Sequence, residues 1–173
     1  MSNFIIDVEA DGQVPGLYSM ISFGAVLLDK DLKTTFYGQL RPIPGAKWVP
    51  EALAISGHSR EETLTFPDPE KTMQEFADWI KQNNKGRPVF WADNNGFDFA
   101  MINYYFHAYI GENPFGWSSQ NINSLYKGIE NDMYASFKHL RKTKHTHHPV
   151  DDAMGNAEAL LAMRQAGLKI KIG

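Results

Sequence analysis

The hydrophobic pattern of the first forty residues predicts three consecutive strands. Short runs rich in apolar and β-branched residues occupy Phe4–Glu9, Met20–Leu28 and Lys33–Leu40. A polar stretch at 29–31 separates the second run from the third, as a connecting turn does. Sequential strands with short connectors most simply form an antiparallel meander, and we expect one here.

The rest of the chain alternates between helical and strand patterns. Glu70–Gln82 places apolar residues at helical spacing after a Pro-Asp-Pro start. Pro88–Ala92 is a short apolar run that is typical of a buried strand. Phe97–Tyr109 has the apolar content of a mostly buried helix, and Pro149–Ala166 predicts a final helix with proline in its first position. This order predicts an α/β fold in which helices cover a mixed sheet.

Length and composition limit the possible functions. The 173 residues, 43% of them hydrophobic, predict a single domain over 1–173. The chain has no cysteine, which excludes disulfides and thiolate zinc sites. No apolar segment approaches the roughly 20 residues that cross a bilayer, so we expect no membrane span. The first residues lack the pattern of a signal peptide, which favours a cytoplasmic protein.

Charge is unevenly distributed along the chain. The formal net charge is -3, which argues against a basic nucleic-acid-binding protein without excluding one. Residues 127–173 nevertheless hold eight basic and five acidic residues. The basic side chains just before a group of histidines could contact phosphates, or could simply form a solvated helix end. They are Lys138, His139, Arg141, Lys142 and Lys144.

Two acidic residues lie within the first apolar run. Side chains two positions apart share one face of a strand, so Asp7 and Glu9 point the same way. Burial of an ionised carboxylate costs several kcal/mol, and two like charges raise at least one pKa unless a cation neutralises them. The alternative is that the strand ends at Ile6 and that both acids are solvated.

Further acids occur in the last two long helical segments. Asp98 lies in line with Met101 and Ile102 on an apolar face, although it could also be a capping acid in the first helical turn. In the final helix, Asp151 and Asp152 are separated by 100°. Asp152 lies on the inward face, and Asp151 lies on the side that faces solvent.

Acids directed inward from three separate segments predict a divalent metal site. Asp and Glu are almost never buried without a partner, and a bound cation explains this pattern economically. Donors that are all oxygen suit Mg²⁺ or Mn²⁺. Four carboxylates are more than one Mg²⁺ usually needs. The pattern therefore predicts a two-metal site of the kind that holds the attacking and leaving oxygens of a phosphodiester.

These residues resemble the motifs of the DEDD exonuclease superfamily, in its histidine-containing DEDDh branch. Ile5–Glu9 is similar to the first motif. Asn94–Asp98 is similar to the second, in which an Asn precedes a Phe-Asp pair. His147, five residues before Asp152, is similar to the third. Each motif is weak alone, but their order and spacing over nearly the whole chain are characteristic of the family.

The chain departs from the family pattern at two positions and is ambiguous at a third. Asp93 stands where the family often has His, and Ala10 stands where it often has Thr or Ser. Among His145, His147 and His148, only His147 has the five-residue spacing to the inward acid, and His148 is the alternative. A histidine-rich zinc cluster is a further interpretation. The run lacks a second ligand group at zinc-like spacing, which argues against that cluster.

The resemblance implies a ribonuclease H-like fold. Its mixed five-stranded sheet would have three antiparallel N-terminal strands followed by parallel strands, with flanking helices. It also implies hydrolysis from the 3′ end that releases nucleoside 5′-monophosphates. Two Mg²⁺ ions, replaceable by Mn²⁺, would be held by Asp7, Glu9, Asp98 and Asp152. The general base would be His147. Substrate contacts would come from Ala10, Asn94, Phe97 and His58, the last of which could instead lie in a surface turn.

The compact length resembles the small stand-alone family members RNase T, oligoribonuclease and RNase AS. This resemblance implies a homodimer that acts on single-stranded RNA or RNA 3′ ends. One alternative is a proofreading-type DNA exonuclease, similar to the epsilon subunit of DNA polymerase III. Another is a non-catalytic nucleic-acid-binding module with the same fold.

Overall fold

A single five-stranded sheet forms the centre of the computed structural model, which describes residues 1–172. Its strand order is β3-β2-β1-β4-β5. The first three strands pair antiparallel, whereas β4 and β5 run parallel to β1. The mixed sheet expected from the sequence is therefore confirmed. The strands are β1 Ser2–Ala10, β2 Met20–Leu27, β3 Thr35–Gln39, β4 Pro88–Ala92 and β5 Ser119–Asn121.

Helices cover both faces of this sheet. The three long predicted helices are present as α3, α4 and α6, with ends that differ from the predicted ones by a few residues. None of the helices in 1–172 is long and apolar enough to cross a membrane. The helices are α1 Pro50–Ile55, α2 Arg60–Thr63, α3 Pro69–Asn83, α4 Asn95–Tyr109, α5 Ile122–Glu130 and α6 Pro149–Gln165, with a 3₁₀ turn at Phe137–Leu140.

The polar connector between β2 and β3 has a defined local cause. The Asp29 carboxylate accepts hydrogen bonds from the backbone N–H groups of Asp31 and Leu32. Leu32 adopts a left-handed conformation with φ of 53°, which turns the chain. This Asx-type turn delays the start of β3 to Thr35, two residues later than the apolar pattern predicts.

Alternation along β1 divides its side chains between two cores. Phe4, Ile6 and Val8 pack on the side that contains α3 and α4. Ile5 packs on the opposite side, against apolar residues of α6. Because strand side chains alternate, Asp7 and Glu9 lie on the same side as Ile5. The first two acids of the predicted site therefore face the layer of α6.

A glycine in β2 allows α6 to begin close to the sheet. Gly24 pairs with Asp7 across the β1–β2 ladder. A Cβ atom on Gly24 would lie 2.4 Å from the carbonyl carbon of Pro149, the first residue of α6. Only glycine fits at this contact. The start of α6, which contains Asp152, is thereby held over the strand position next to Asp7.

Candidate active site

Three of the four predicted acids meet where β1 passes beneath α6. Carboxylate oxygens of Asp7, Glu9 and Asp152 all lie within 4.8 Å of one another. Asp152 is 1% exposed, and the side chain of Glu9 is 12% exposed. Asp151 is partly exposed and accepts a hydrogen bond from the Thr146 hydroxyl at 3.0 Å. The prediction that Asp152 faces inward is confirmed.

Asp98 joins this group through the backbone of β1. Pairing between β1 and β4 ends at Ile5 and Trp91, which leaves the next amides of β1 available on that edge. The Val8 N–H donates to Oδ1 of Asp98 at 3.1 Å. Asp98 is 4% exposed and lies in the first turn of α4, and its negative charge raises the pKa of Asp7. We call Asp7, Glu9, Asp98 and Asp152 the acidic cluster.

The acidic cluster is electrostatically unfavourable without a cation. Burial, together with the charges of the other three acids, raises the pKa of Asp7 well above its usual range. Burial is also the main cause that raises the pKa of Asp98, and it raises that of Glu9 to about 7. Within 1–172, no Lys or Arg nitrogen lies within 4.0 Å of these carboxylates. Crowded oxygen donors that no Lys or Arg neutralises at close range suit a hard divalent ion.

The loop before α6 places His147 beside this cluster. His147 adopts a left-handed conformation with φ of 61°, and its N–H donates to Oδ2 of Asp152 at 3.1 Å. Its Nδ1 lies 3.9 Å from a carboxylate oxygen of Glu9, and its side chain is 47% exposed. His148 instead stacks on Tyr37, with ring centroids 4.9 Å apart. Of the two candidate histidines, His147 is therefore the one that faces the acids.

His145 also contacts the acidic cluster, which the sequence did not indicate. Its Nδ1 lies 2.7 Å from Oδ1 of Asp152. Its ring packs edge-on against that of His147, with centroids 4.3 Å apart. The alternating His-Thr-His pattern was the signal that could have suggested this contact, because residues two apart in an extended segment share a side.

Two of the predicted substrate-contact residues line a cleft beside Glu9. Ala10 and Phe97 enclose a volume of about 170 Å³ together with side chains from α1, including Ala52 and Ile55. Most of this lining is apolar, whereas Glu9 adds a carboxylate at one side. The cleft is suited to a flat, partly apolar group that lies next to a charged centre.

The other two predicted substrate-contact residues are placed differently. Asn94 is exposed at the start of α4, and its carbonyl oxygen accepts hydrogen bonds from the N–H groups of Phe97 and Asp98. His58 contacts the Glu62 carboxylate at 3.0 Å and packs edge-on against Phe66. The structure thus shows His58 in local contacts near α2, and it is not among the residues that line the cleft.

One basic residue with a predicted role in phosphate binding lies in the interior instead. The Arg141 guanidinium pairs with Asp93 at 3.1 Å and donates to Asn156 in α6. It also lies over the ring of Phe137, and its side chain is only 9% exposed. The observed partners of Arg141 are therefore protein groups, which argues against a phosphate contact by this residue. Neither partner is near Arg141 in sequence, so no local pattern indicated this role.

Sequence comparisons relate the chain to known exonucleases. Residues 2–163 match the family described as the 3′-5′ exoribonuclease Rv2179c-like domain. The 3′-5′ DNA exonuclease Cap18 of Escherichia coli is 35% identical over 158 residues. That alignment covers 90% of this chain and 82% of Cap18.

Comparison with solved structures gives the same fold. The nuclease domain of 3′hExo, a DEDDh family member solved with bound rAMP, matches with a TM-score of 0.79 and 18% identity, over 99% of this chain and 96% of that domain. Escherichia coli exonuclease I, in complex with a dT13 oligonucleotide, matches with a TM-score of 0.74 and 15% identity, over 95% of this chain and 42% of that chain. The expected ribonuclease H-like fold of the DEDDh exonucleases is confirmed.

Proposed function

We propose that this chain, which belongs to the Rv2179c-like 3′-5′ exoribonuclease domain family, removes nucleotides one at a time from the 3′ ends of single-stranded RNA. The products would be nucleoside 5′-monophosphates. The 3′-5′ exonuclease class follows from the family. The preference for RNA is our proposal, and the description of the family as an exoribonuclease domain supports it.

The convergence of the acidic cluster is the observation that carries this proposal. Its four carboxylates come from β1, α4 and α6, and within 1–172 they lie together with no Lys or Arg nitrogen within 4.0 Å. Their oxygen donors fit Mg²⁺, or Mn²⁺ in its place, and we propose that they hold two such ions. When bound, the ions would supply an activated water and charge stabilisation for the departing 3′ oxygen. The protein provides the converging ligands.

His147 is the proposed general base. Its backbone N–H is held by Asp152, and its imidazole lies beside Glu9 with about half of its surface in solvent. An exposed imidazole next to the carboxylates can take a proton from an attacking water and return it to solvent. The left-handed turn at His147 directs the ring toward the acids rather than toward Tyr37, where His148 lies.

The apolar cleft beside Glu9 is the proposed site for the terminal nucleotide. Phe97 can pack against the base, and the small side chain of Ala10 leaves room at the end of β1. Asn94 is exposed one turn before Asp98 and is a proposed contact for the backbone of the substrate. We leave His58 out of the proposed contacts because its observed partners are Glu62 and Phe66.

A DNA substrate is the second candidate, and the relationship to Cap18 favours it. That relative is named as a DNA exonuclease and is 35% identical to this chain.

The deciding assay uses single-stranded RNA and DNA of identical sequence and length, each labelled at the 5′ end, with Mg²⁺, Mn²⁺ or EDTA. We expect metal-dependent shortening from the 3′ end that is faster on RNA. Faster shortening of DNA would assign the second candidate. No shortening of either substrate would contradict both, and would favour the non-catalytic binding module.

We also propose that residues 1–173 act as one exonuclease domain and assemble as a homodimer. The continuous five-stranded sheet supports the first part. The resemblance to small stand-alone exonucleases supports the second. Light scattering coupled to size-exclusion chromatography should give twice the mass of one chain, and a monomer mass at micromolar concentration would contradict the dimer.

A further inference from the structure

Two histidines and one acid at the start of α6 form a second group of potential metal ligands. Nitrogen atoms of His145 and His147 and a carboxylate oxygen of Asp152 all lie within 4.8 Å of one another. The two imidazoles are 53% and 47% exposed, so an ion in solution can reach them. The proposed nuclease mechanism assigns no role to His145.

The backbone of the loop fixes these three groups relative to one another. The N–H groups of Thr146 and His147 donate to the two carboxylate oxygens of Asp152, at 3.2 and 3.1 Å. The left-handed conformation of His147 completes this turn around the carboxylate. The loop that carries both histidines is therefore anchored by its backbone to an acid of α6. The acid supplies the third donor that the spacing of the histidines alone lacks.

We propose that His145, His147 and Asp152 form a binding site for Zn²⁺. Two imidazole nitrogens and one carboxylate oxygen are donors that Zn²⁺ accepts readily, and three protein ligands leave a fourth position open to water. Mg²⁺ prefers oxygen donors, so this site selects the softer ion. The exposed rings can rotate by the small amount that zinc–nitrogen distances of about 2.0–2.1 Å require.

Zinc at this site conflicts with the proposed nuclease activity, and this consequence rests on the proposed function. His147 is the proposed base, and Asp152 is a proposed ligand for Mg²⁺. A zinc ion that engages both residues withdraws them from the reaction. Zn²⁺ is therefore an inhibitor of the Mg²⁺-dependent activity, and its potency depends on a histidine that the reaction does not use.

Direct binding of Zn²⁺ to the metal-free protein tests the site without any nuclease assay. Isothermal titration calorimetry with zinc chloride compares wild type, His145→Ala and the matched control His148→Ala, whose ring packs on Tyr37. We expect the same tight first binding step in wild type and in the control, with any binding at the acidic cluster as a weaker, later step. Loss of a residue that only hydrogen-bonds to a metal ligand costs about 10–100-fold in metal affinity, so loss of a ligand itself should weaken binding by at least about tenfold. Equal affinity of wild type and His145→Ala would overturn the proposal.

Two further measurements locate the ion and test its consequence. Anomalous diffraction at the zinc edge should give a peak among the three side chains, and a sole peak between Asp7 and Glu9 would overturn the assignment.

In the RNA assay at fixed Mg²⁺, each variant is normalised to its own zinc-free rate. The inhibitory zinc concentration should rise in His145→Ala by the same factor as the dissociation constant. An unchanged inhibitory concentration would overturn inhibition through this site, and absence of any nuclease activity would leave the calorimetric result to decide zinc binding.

Discussion

Two neighbouring parts of the molecule place carboxylates in the interior and balance their charge in opposite ways. Asp11, just after β1, is fully buried, accepts the Ser19 N–H at 2.6 Å and pairs with Arg60 at 2.9 Å. Asp7 and Glu9, a few residues earlier, lie among other acids with no Lys or Arg within 4.0 Å in the described part of the chain. In the first arrangement the buried charge has its own partners, whereas the second lacks a comparable partner and suits a bound cation.

The direction of the pKa shift alone does not separate these two regions. Burial raises the pKa of Asp11, as it raises that of Asp7. The difference lies in the neighbours. Ser19 and Arg60 lower the pKa of Asp11, whereas three nearby acids raise the pKa of Asp7, each by more than Arg141 lowers it. A buried acid with its own partners thus has a structural role, whereas buried acids that repel one another indicate a ligand site.

The largest effect should come from neutralising a member of the acidic cluster. Metal ions contribute several kcal/mol of transition-state stabilisation, so Asp7→Asn or Asp152→Asn should lower the 3′-5′ exonuclease rate by about 10³-fold or more. Initial rates on end-labelled RNA with Mg²⁺ measure this loss. Asp7→Asn should also leave the metal-free protein at least as stable as wild type, because it removes a repelled charge. A folded variant that keeps a tenth of the activity would contradict the site.

A substitution in the Asp11–Arg60 pair should instead lower the stability of the protein. Arg60→Met leaves the Asp11 carboxylate buried without its counter-charge, and removal of one partner of a buried pair costs about 3 kcal/mol. Urea unfolding measures the change in the free energy of unfolding. The matched control is Arg41→Met, because Arg41 and Asp68 form an exposed pair worth at most about 1 kcal/mol. Equal losses in the two variants would remove the contrast between the regions.

The helices that the sequence predicted well are long enough to show a periodic pattern of hydrophobic residues. The helices α3, α4 and α6 each span at least 15 residues. In contrast, α2 has four residues and β5 is the three-residue polar segment Ser119–Asn121, so neither displays a hydrophobic pattern. The strand β5 is defined by pairing with β4, which is a tertiary contact. Its existence was implied only by the family resemblance.

The candidate site also contains residues that the sequence indicates and contacts that only the tertiary structure shows. The four acids and His147 could be named because their spacing follows the family motifs. The contact between His145 and Asp152 depends on a left-handed turn at His147, and the inward position of Arg141 depends on Asp93 and Asn156. The alternating His-Thr-His pattern does not reveal the left-handed turn, and the partners of Arg141 leave no regular spacing in the sequence. Sequence therefore indicated the members of the acidic cluster and His147 better than the contacts that hold them in place.

A smaller effect is expected from pH in the metal-free protein. The pKa of Glu9 is about 7 in the fold, against an ordinary value of 4.5. Between these values the folded state binds more protons than the unfolded state, so the free energy of unfolding falls as pH rises. Melting temperatures in EDTA should therefore decrease over this window in wild type and decrease less in Glu9→Gln. Added Mg²⁺ should offset the decrease, and a melting temperature that rises across the window in EDTA would contradict this account.

The smallest effect should come from Asp151, the acid adjacent in sequence to Asp152. Asp151 is partly exposed and bonds only the Thr146 hydroxyl among the contacts seen, so Asp151→Asn keeps the shape of the loop and the inward acids. A substitution at such a position changes the free energy of unfolding by about 0.5 kcal/mol or less. The exonuclease rate should stay within about threefold of wild type, which corresponds to less than 1 kcal/mol. Equal losses of activity in Asp151→Asn and Asp152→Asn would contradict this account. They would mean that negative charge at the start of α6 matters more than the inward position of the carboxylate.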